Sequence, residues 1–423
     1  MSFNPGFVFN AGDIAWVATS TALVMLMTVG LAFFYGGLVR RRDLVSTLSQ
    51  CLTIFALVSL VWVFWGYSLV FGPDAFLGLI GNLSKALLYN VTPSTASTYP
   101  STSGTGNIPE LLVFAFQLKF AAITPALVIG AFAGRIKFRS LIIFIVLWST
   151  IIYCPIAHWI WGVGGWLYSL GAIDFAGGMV VHEAAGMTAL AAALAIGKRK
   201  DLGVREMKPN NVPFVILGAG LLWFGWFGFN GGSALAADVV AVSAVVVTNL
   251  AAAAAALSWM AVDWIRRGKP SAVGLVIGAV CGLAAITPAS GYVGVPASIV
   301  IGLFAGVFAN LVANWRASRM IFDDTLDVFA CHGISGIWGS LATGLFAQAA
   351  INTSTNKNGL FFGNPHLFLV QCLAVAVVAG FAFFASYVIL KIIGFFTPLR
   401  VSPEEEEKGL DESQHGEAAY SEE

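Results

Sequence analysis

Short polar interruptions divide this chain into long apolar runs, and the runs have the length of helices that cross a bilayer, about 20 residues each. The first runs over about 13–35 and stops at Arg40-Arg41-Arg42; the second covers about 44–71. A loop over 72–109, rich in Ser, Thr, Pro and Asn, separates them from a third run at 110–134, which meets the basic turn Arg135-Ile-Lys137-Phe-Arg139. A fourth run, 140–161, leads to a Gly-rich loop, and the fifth carries His182. After the basic segment 197–211, a sixth run ends in Gly225-Trp226-Phe-Gly-Phe229-Asn230-Gly-Gly-Ser233, and a seventh covers 238–262 before the turn Arg266-Arg267-Gly-Lys269-Pro270. Runs eight and nine bracket Thr287-Pro288-Ala-Ser-Gly291, run ten carries His332, and run eleven covers about 367–396. The pattern predicts an all-α integral membrane protein of eleven transmembrane helices, with a membrane domain at 1–397 and a charged tail at 398–423.

Composition agrees, since 58% of the 423 residues are hydrophobic and 10% charged, against about 25% charged in a soluble domain. A balanced formal charge gives no reason to invoke nucleic acid. The position of charge says more. Of 22 Lys and Arg, Lys85 and Lys357 fall in loops on one side and Lys119 within span 3, which leaves 19 on the other. Positive residues concentrate on the cytoplasmic side, which places the N-terminus outside and the tail inside. Residues 1–11 have neither a basic stretch nor a long apolar core, so insertion is expected to use the first span itself. The five cysteines form no CxxC pair and read as small buried hydrophobes, without a disulfide framework or zinc site.

The chemistry lies in two histidines. Asp174-Phe-Ala-Gly-Gly-Met-Val-Val-His182 and Asp324-Thr-Leu-Asp-Val-Phe-Ala-Cys-His332 each set an aspartate eight residues before an imidazole. Ionisable residues within membrane spans are rare and mark function. An odd span count sends spans 5 and 10 in opposite directions, so both rings lie about 12 Å in from opposite faces at about 1.5 Å per residue. They should meet near the midplane of an inverted repeat of spans 1–5 and 6–10. The plainer alternative is two separate core histidines, each satisfied by a neighbour. As helix caps, Asp174, Asp324 and Asp327 would complement the dipoles of their helices.

Several motifs in order carry a resemblance that covers nearly the whole chain. The segments 171–182, 225–233, Pro155-Ile-Ala-His158-Trp-Ile-Trp161, Asp327-Val-Phe-Ala-Cys-His332-Gly333 and the tail from Leu399-Arg400-Val401 to Tyr420 resemble signatures of the Amt/Mep/Rh ammonium transporters. The resemblance implies a homotrimer in the cell membrane with one pore per subunit. It matches His182 and His332 to a twin-histidine relay and Phe120 and Phe229 to a stacked pore gate. Phe116, Trp161 and Ser233 match an outer ammonium-recruiting vestibule, and Asp174 a structural acid beneath it, with Trp226 also structural near the site. It assigns His158 a structural place away from the pore, and the tail a docking role for a PII-type signalling protein. No cofactor or metal is implied.

The physical chemistry suits such a design. Ammonium and potassium are of similar size, so selection must use what ammonium alone has. Aromatic faces attract a cation by about 0.5–2 kcal/mol, and a hydroxyl can accept an N–H bond. An apolar passage excludes any unpaired charge, but ammonium can shed its proton and cross as ammonia. Two imidazoles sharing a hydrogen bond could carry the proton separately. Taken alone, the same aromatics suit an interfacial belt or core packing. Lys119 and Glu183 depart from the family pattern; at matched depths they are expected to form a buried ion pair, since either charge alone is costly. Competing readings are an ammonium sensor on the same scaffold, an electroneutral ammonia channel and a bis-histidine haem protein. The chain has no phosphate loop, HExxH or nucleophile constellation that would argue for an enzyme.

Overall fold

The computed structural model describes residues 9–204 and 207–420. Its helices follow the apolar runs in order: α1 (Ala11–Leu38), α2 (Arg41–Phe71), α3 (Glu110–Phe132), α4 (Phe138–Leu170), α5 (Gly178–Ile196), α6 (Val212–Gly232) and α7 (Val239–Arg267). Then come α8 (Ala272–Ile286), α9 (Val295–Arg319), α10 (Phe329–Ile334 running on into Ser335–Phe346) and α11 (Pro365–Phe396). Nine of these are long and apolar enough to cross a membrane among the described residues. The other two, α8 and α10, stand where spans 8 and 10 are expected; α8 has only 15 residues, so an eleven-span arrangement rests on counting both.

Local chemistry sets the helix ends. Asn10, Asn211, Ser271 and Asn364 each accept a backbone N–H in the first turn of α1, α6, α8 and α11, and Asp238 accepts two at the start of α7. Gly268, in the left-handed region at φ +73°, stops α7. Large apolar side chains such as Ile265, Phe384 and Phe395 face outward, as a lipid-facing surface requires, while Trp62, Trp148, Phe120 and Phe229 fill the interior.

One end of the bundle gathers the basic loops. Arg135, fully buried, donates to the Asp323 carboxylate at 2.6 Å, to Asp323 O at 2.8 Å and to Gly197 O at 2.9 Å. Arg199 binds the same carboxylate at 3.1 Å. Burial pulls the Arg135 guanidinium down to about 10, with Asp323 opposing that shift. The tail docks here on its own chain. Glu406 accepts the Lys200 N–H at 3.1 Å, Asp411 accepts the Ser46 N–H at 2.7 Å, and Leu410 N–H donates to Asp43 at 3.0 Å. A short helix, α12 (Pro403–Lys408), starts in a capping box between Ser402 and Glu405.

Candidate transport pore

Each histidine sits in a turn of π-helix, His182 in Gly178–Glu183 and His332 in Phe329–Ile334. Such turns cluster at functional sites because they re-aim one side chain within a helix. Each turn hangs from an aspartate. Asp174 accepts from Gly177, Gly178, Met179 and Val180 N–H at 2.8, 2.7, 2.8 and 3.2 Å. Asp324 accepts from Val328 and Phe329 N–H at 3.1 and 2.7 Å. Asp324 adjoins Asp323 and the basic end, whereas Asp174 lies at the opposite end with Lys357 bound to Gly171 O.

The two helices therefore enter from opposite ends, and they cross backbone to backbone. A Cβ placed on Gly186 of α5 would fall 2.1 Å from Gly333 N of α10, so only glycine allows this contact. A Cβ on Gly336 would meet Glu183 N at 2.7 Å. The crossing brings the imidazole centroids to 5.3 Å with planes 17° apart. The reading of two unrelated core histidines, each satisfied by a neighbour, does not hold. Both ring nitrogens of His182 and Nδ1 of His332 are buried with no hydrogen-bond partner among the described residues. The expected shared hydrogen bond is thus not formed. The backbone crossing and Trp226, whose ring lies 5.2 Å from that of His182, place the rings; the rings do not place each other.

The other predicted residues converge on one side of this pair. Phe120 and Phe229 stack at 4.1 Å and 25°. Phe116 packs edge-on against Phe120 at 4.9 Å, and Trp161 does so at 6.0 Å. The Trp161 indole donates to Asp174 O at 2.8 Å, and Ser233 donates its hydroxyl to Phe229 O at 2.8 Å, which keeps its lone pairs free to accept. Phe116 is fully buried beneath Gly232, so the rings close over Phe120 and leave no wide mouth there. Beyond Phe229 lies a cavity of about 10 Å³, room for one water-sized molecule, lined by His182, His332, Trp226 and apolar side chains including Leu31, Ile123, Leu222 and Val280. Sequence reasoning missed these aliphatic walls, which look like any other span residues. It also missed Thr287, which accepts the Trp226 indole N–H at 2.9 Å; the Thr287-Pro288 break in the apolar pattern was its signal.

A family model described as the ammonium transporter family matches residues 15–420. This chain belongs to the ammonium transporter family. It is 47% identical to the ammonium transporter Amt1 of Archaeoglobus fulgidus over 97% of this chain and 99% of that one. Mep2 of Saccharomyces cerevisiae superposes with a TM-score of 0.87 at 35% identity, over 94% of this chain and 88% of that one. A sensor Amt protein superposes at 0.85 and 31% identity, over 96% and 98%.

Lys119 and Glu183, expected to form a buried ion pair, are not paired with each other. The Lys119 ammonium lies over the Phe55 ring, 4.9 Å from its centroid, and Glu183 is fully buried with neither carboxyl oxygen hydrogen-bonded among the described residues. Equal depth did not imply contact, because a helix sends side chains at one level in different directions. Lys119 faces α2, while Glu183 follows His182 into the packing with α10 and α11.

Proposed function

We propose that this transporter recruits ammonium at Phe116, Trp161 and Ser233, strips its proton, and passes ammonia between Phe120 and Phe229 into the cavity beside His182 and His332. The cell (plasma) membrane is its site, with the N-terminus outside. The observation that carries the reading is the 5.3 Å histidine pair at the wall of an otherwise apolar cavity beyond two stacked phenylalanines. The imidazoles offer a polar line on which a proton can travel apart from ammonia, and potassium, unable to shed its charge, stays behind. Trp226 on the His182 ring and Asp174 on the turn before it keep this geometry. Net uptake is electrogenic, and the working unit is a homotrimer with one pore per subunit. The docked tail is the surface on which a PII-type protein acts from the cytoplasm. The likeness to a sensor Amt protein keeps sensing on the same scaffold as the second reading.

Proteoliposomes given an ammonium pulse on a solid-supported membrane test this reading. Wild type gives a transient current that His182→Ala abolishes. A wild type that passes ammonia without current excludes the electrogenic version, and an undiminished His182→Ala current excludes the relay.

A further inference from the structure

We infer that His158 and Asp74 form a latch that positions Trp161 at the outer mouth, making both positioning residues for ammonium capture; this rests on the reading of Trp161 given above. His158 is wholly buried one turn before α4 breaks at Gly162. Its Nδ1 lies 2.7 Å from Val70 O and its Nε2 lies 3.3 Å from Asp74 Oδ1. A carboxylate oxygen only accepts, so the Asp74 bond takes its hydrogen from the ring and is charge-assisted by the carboxylate. Asp74 suits that partnership: the Gly78 N–H at 2.9 Å, and then the His158 ring, hold its carboxyl below the usual range.

The chain leaving Trp161 is laced between these two residues. Gly162 N–H donates to His158 O at 3.0 Å, and a Cβ on Gly162 would fall 2.4 Å from His158 Nδ1 and 2.8 Å from Val70 O. The backbone thus lies directly across the His158–Val70 bond. Gly164, at φ +96°, follows with its Cβ position 3.2 Å from Asp74 Cβ. The same loop is fastened twice more, by the Trp159 indole donating to Leu79 O at 2.9 Å and Trp166 N–H to Gly78 O at 3.2 Å. Those two bonds hold the loop before and after the turn. Of the three bonds from the 72–81 loop, that of Asp74 reaches the imidazole itself, one helical turn from Trp161. Trp161 is then fixed from both sides, by the latch behind its backbone and by Asp174 O at its indole. Release of the latch lets the helix end shift and moves the indole off its edge-on seat against Phe120.

The test is the initial rate of ammonium uptake into proteoliposomes across a concentration series, for wild type, Asp74→Ala, Asp74→Asn and Trp161→Leu. Asp74→Ala raises the half-saturating concentration about tenfold, the scale of one charge-assisted hydrogen bond, while the maximal rate stays within about twofold. Asp74→Asn, whose amide can donate to an imidazole nitrogen that carries no proton, recovers most of the wild-type half-saturation. If Trp161→Leu raises half-saturation and Asp74→Ala does not, the latch is overturned and the vestibule stands. If Trp161→Leu leaves it unchanged, the vestibule reading fails and takes the latch with it. A fall in maximal rate alone for Asp74→Ala marks a merely structural role and also overturns the proposal.

Discussion

Asp174 at the start of α5 accepts four backbone N–H groups, whereas Asp324 at the start of α10 accepts two. Around the first, the supports are mainly uncharged: Trp161 donates to Asp174 O, and Gln371 binds both Ile173 N–H and Ile173 O. Around the second they are ionic, with Arg135 and Arg199 on Asp323 and Arg316 on Asp327 at 2.7 Å. The same device, an aspartate holding a π turn that presents a histidine, is thus built from different chemistry at each end. On the proposed route a fixed cation beside Trp161 would repel an arriving ammonium, and dipoles serve there. At the basic end ion pairs bind the loops and bury charge that needs partners.

The largest blow to this symmetry is at the crossing that both ends share. Gly186→Leu drives its Cβ into Gly333 and is expected to abolish folded protein, a loss above about 4 kcal/mol, whereas Gly220→Ala, with open space around it, is neutral. Size-exclusion chromatography in detergent separates the two; a well-folded Gly186→Leu would show that the helices do not touch there.

Unequal caps should give unequal losses. Asp174→Asn costs about 2–3 kcal/mol and Asp324→Asn about 1 kcal/mol, following the number of N–H groups each carboxylate serves. Thermal melts of the purified variants measure the order, and a larger drop for Asp324→Asn would mean that its ionic surroundings, not its cap, carry the turn.

The smallest effect expected is a coupling. Lys119→Met and Glu183→Gln should be additive to within about 0.5 kcal/mol in a double-mutant cycle, since the two side chains touch different helices. A larger coupling would restore the ion pair that the geometry denies.

Much of the candidate site is legible in the sequence. Asp174, His182, Asp324 and His332 stood out because ionisable residues are scarce in apolar spans, and their repeated spacing predicted a meeting at mid-depth. Phe120 and Phe229 were another matter, two among 33 phenylalanines, and only the surrounding motifs singled them out. Lys119 and Glu183 show where depth ran out as a guide, for it carries no azimuth. The π turns were invisible, because a π turn differs from an α turn by one hydrogen-bond register and leaves no mark in hydropathy.

Span order, the sidedness of charge and the opposed entry of the two histidine helices were written in the amino-acid order, because hydropathy and charge act locally and add along a chain. Tertiary packing alone decided how closely α5 and α10 approach, which face each ring presents and that the imidazoles lie 5.3 Å apart without a mutual hydrogen bond. Those features depend on which glycine meets which backbone across a distance of 147 residues, Gly186 to Gly333. No local pattern encodes such a contact, since Gly186 becomes necessary only once the backbone of Gly333 stands opposite it.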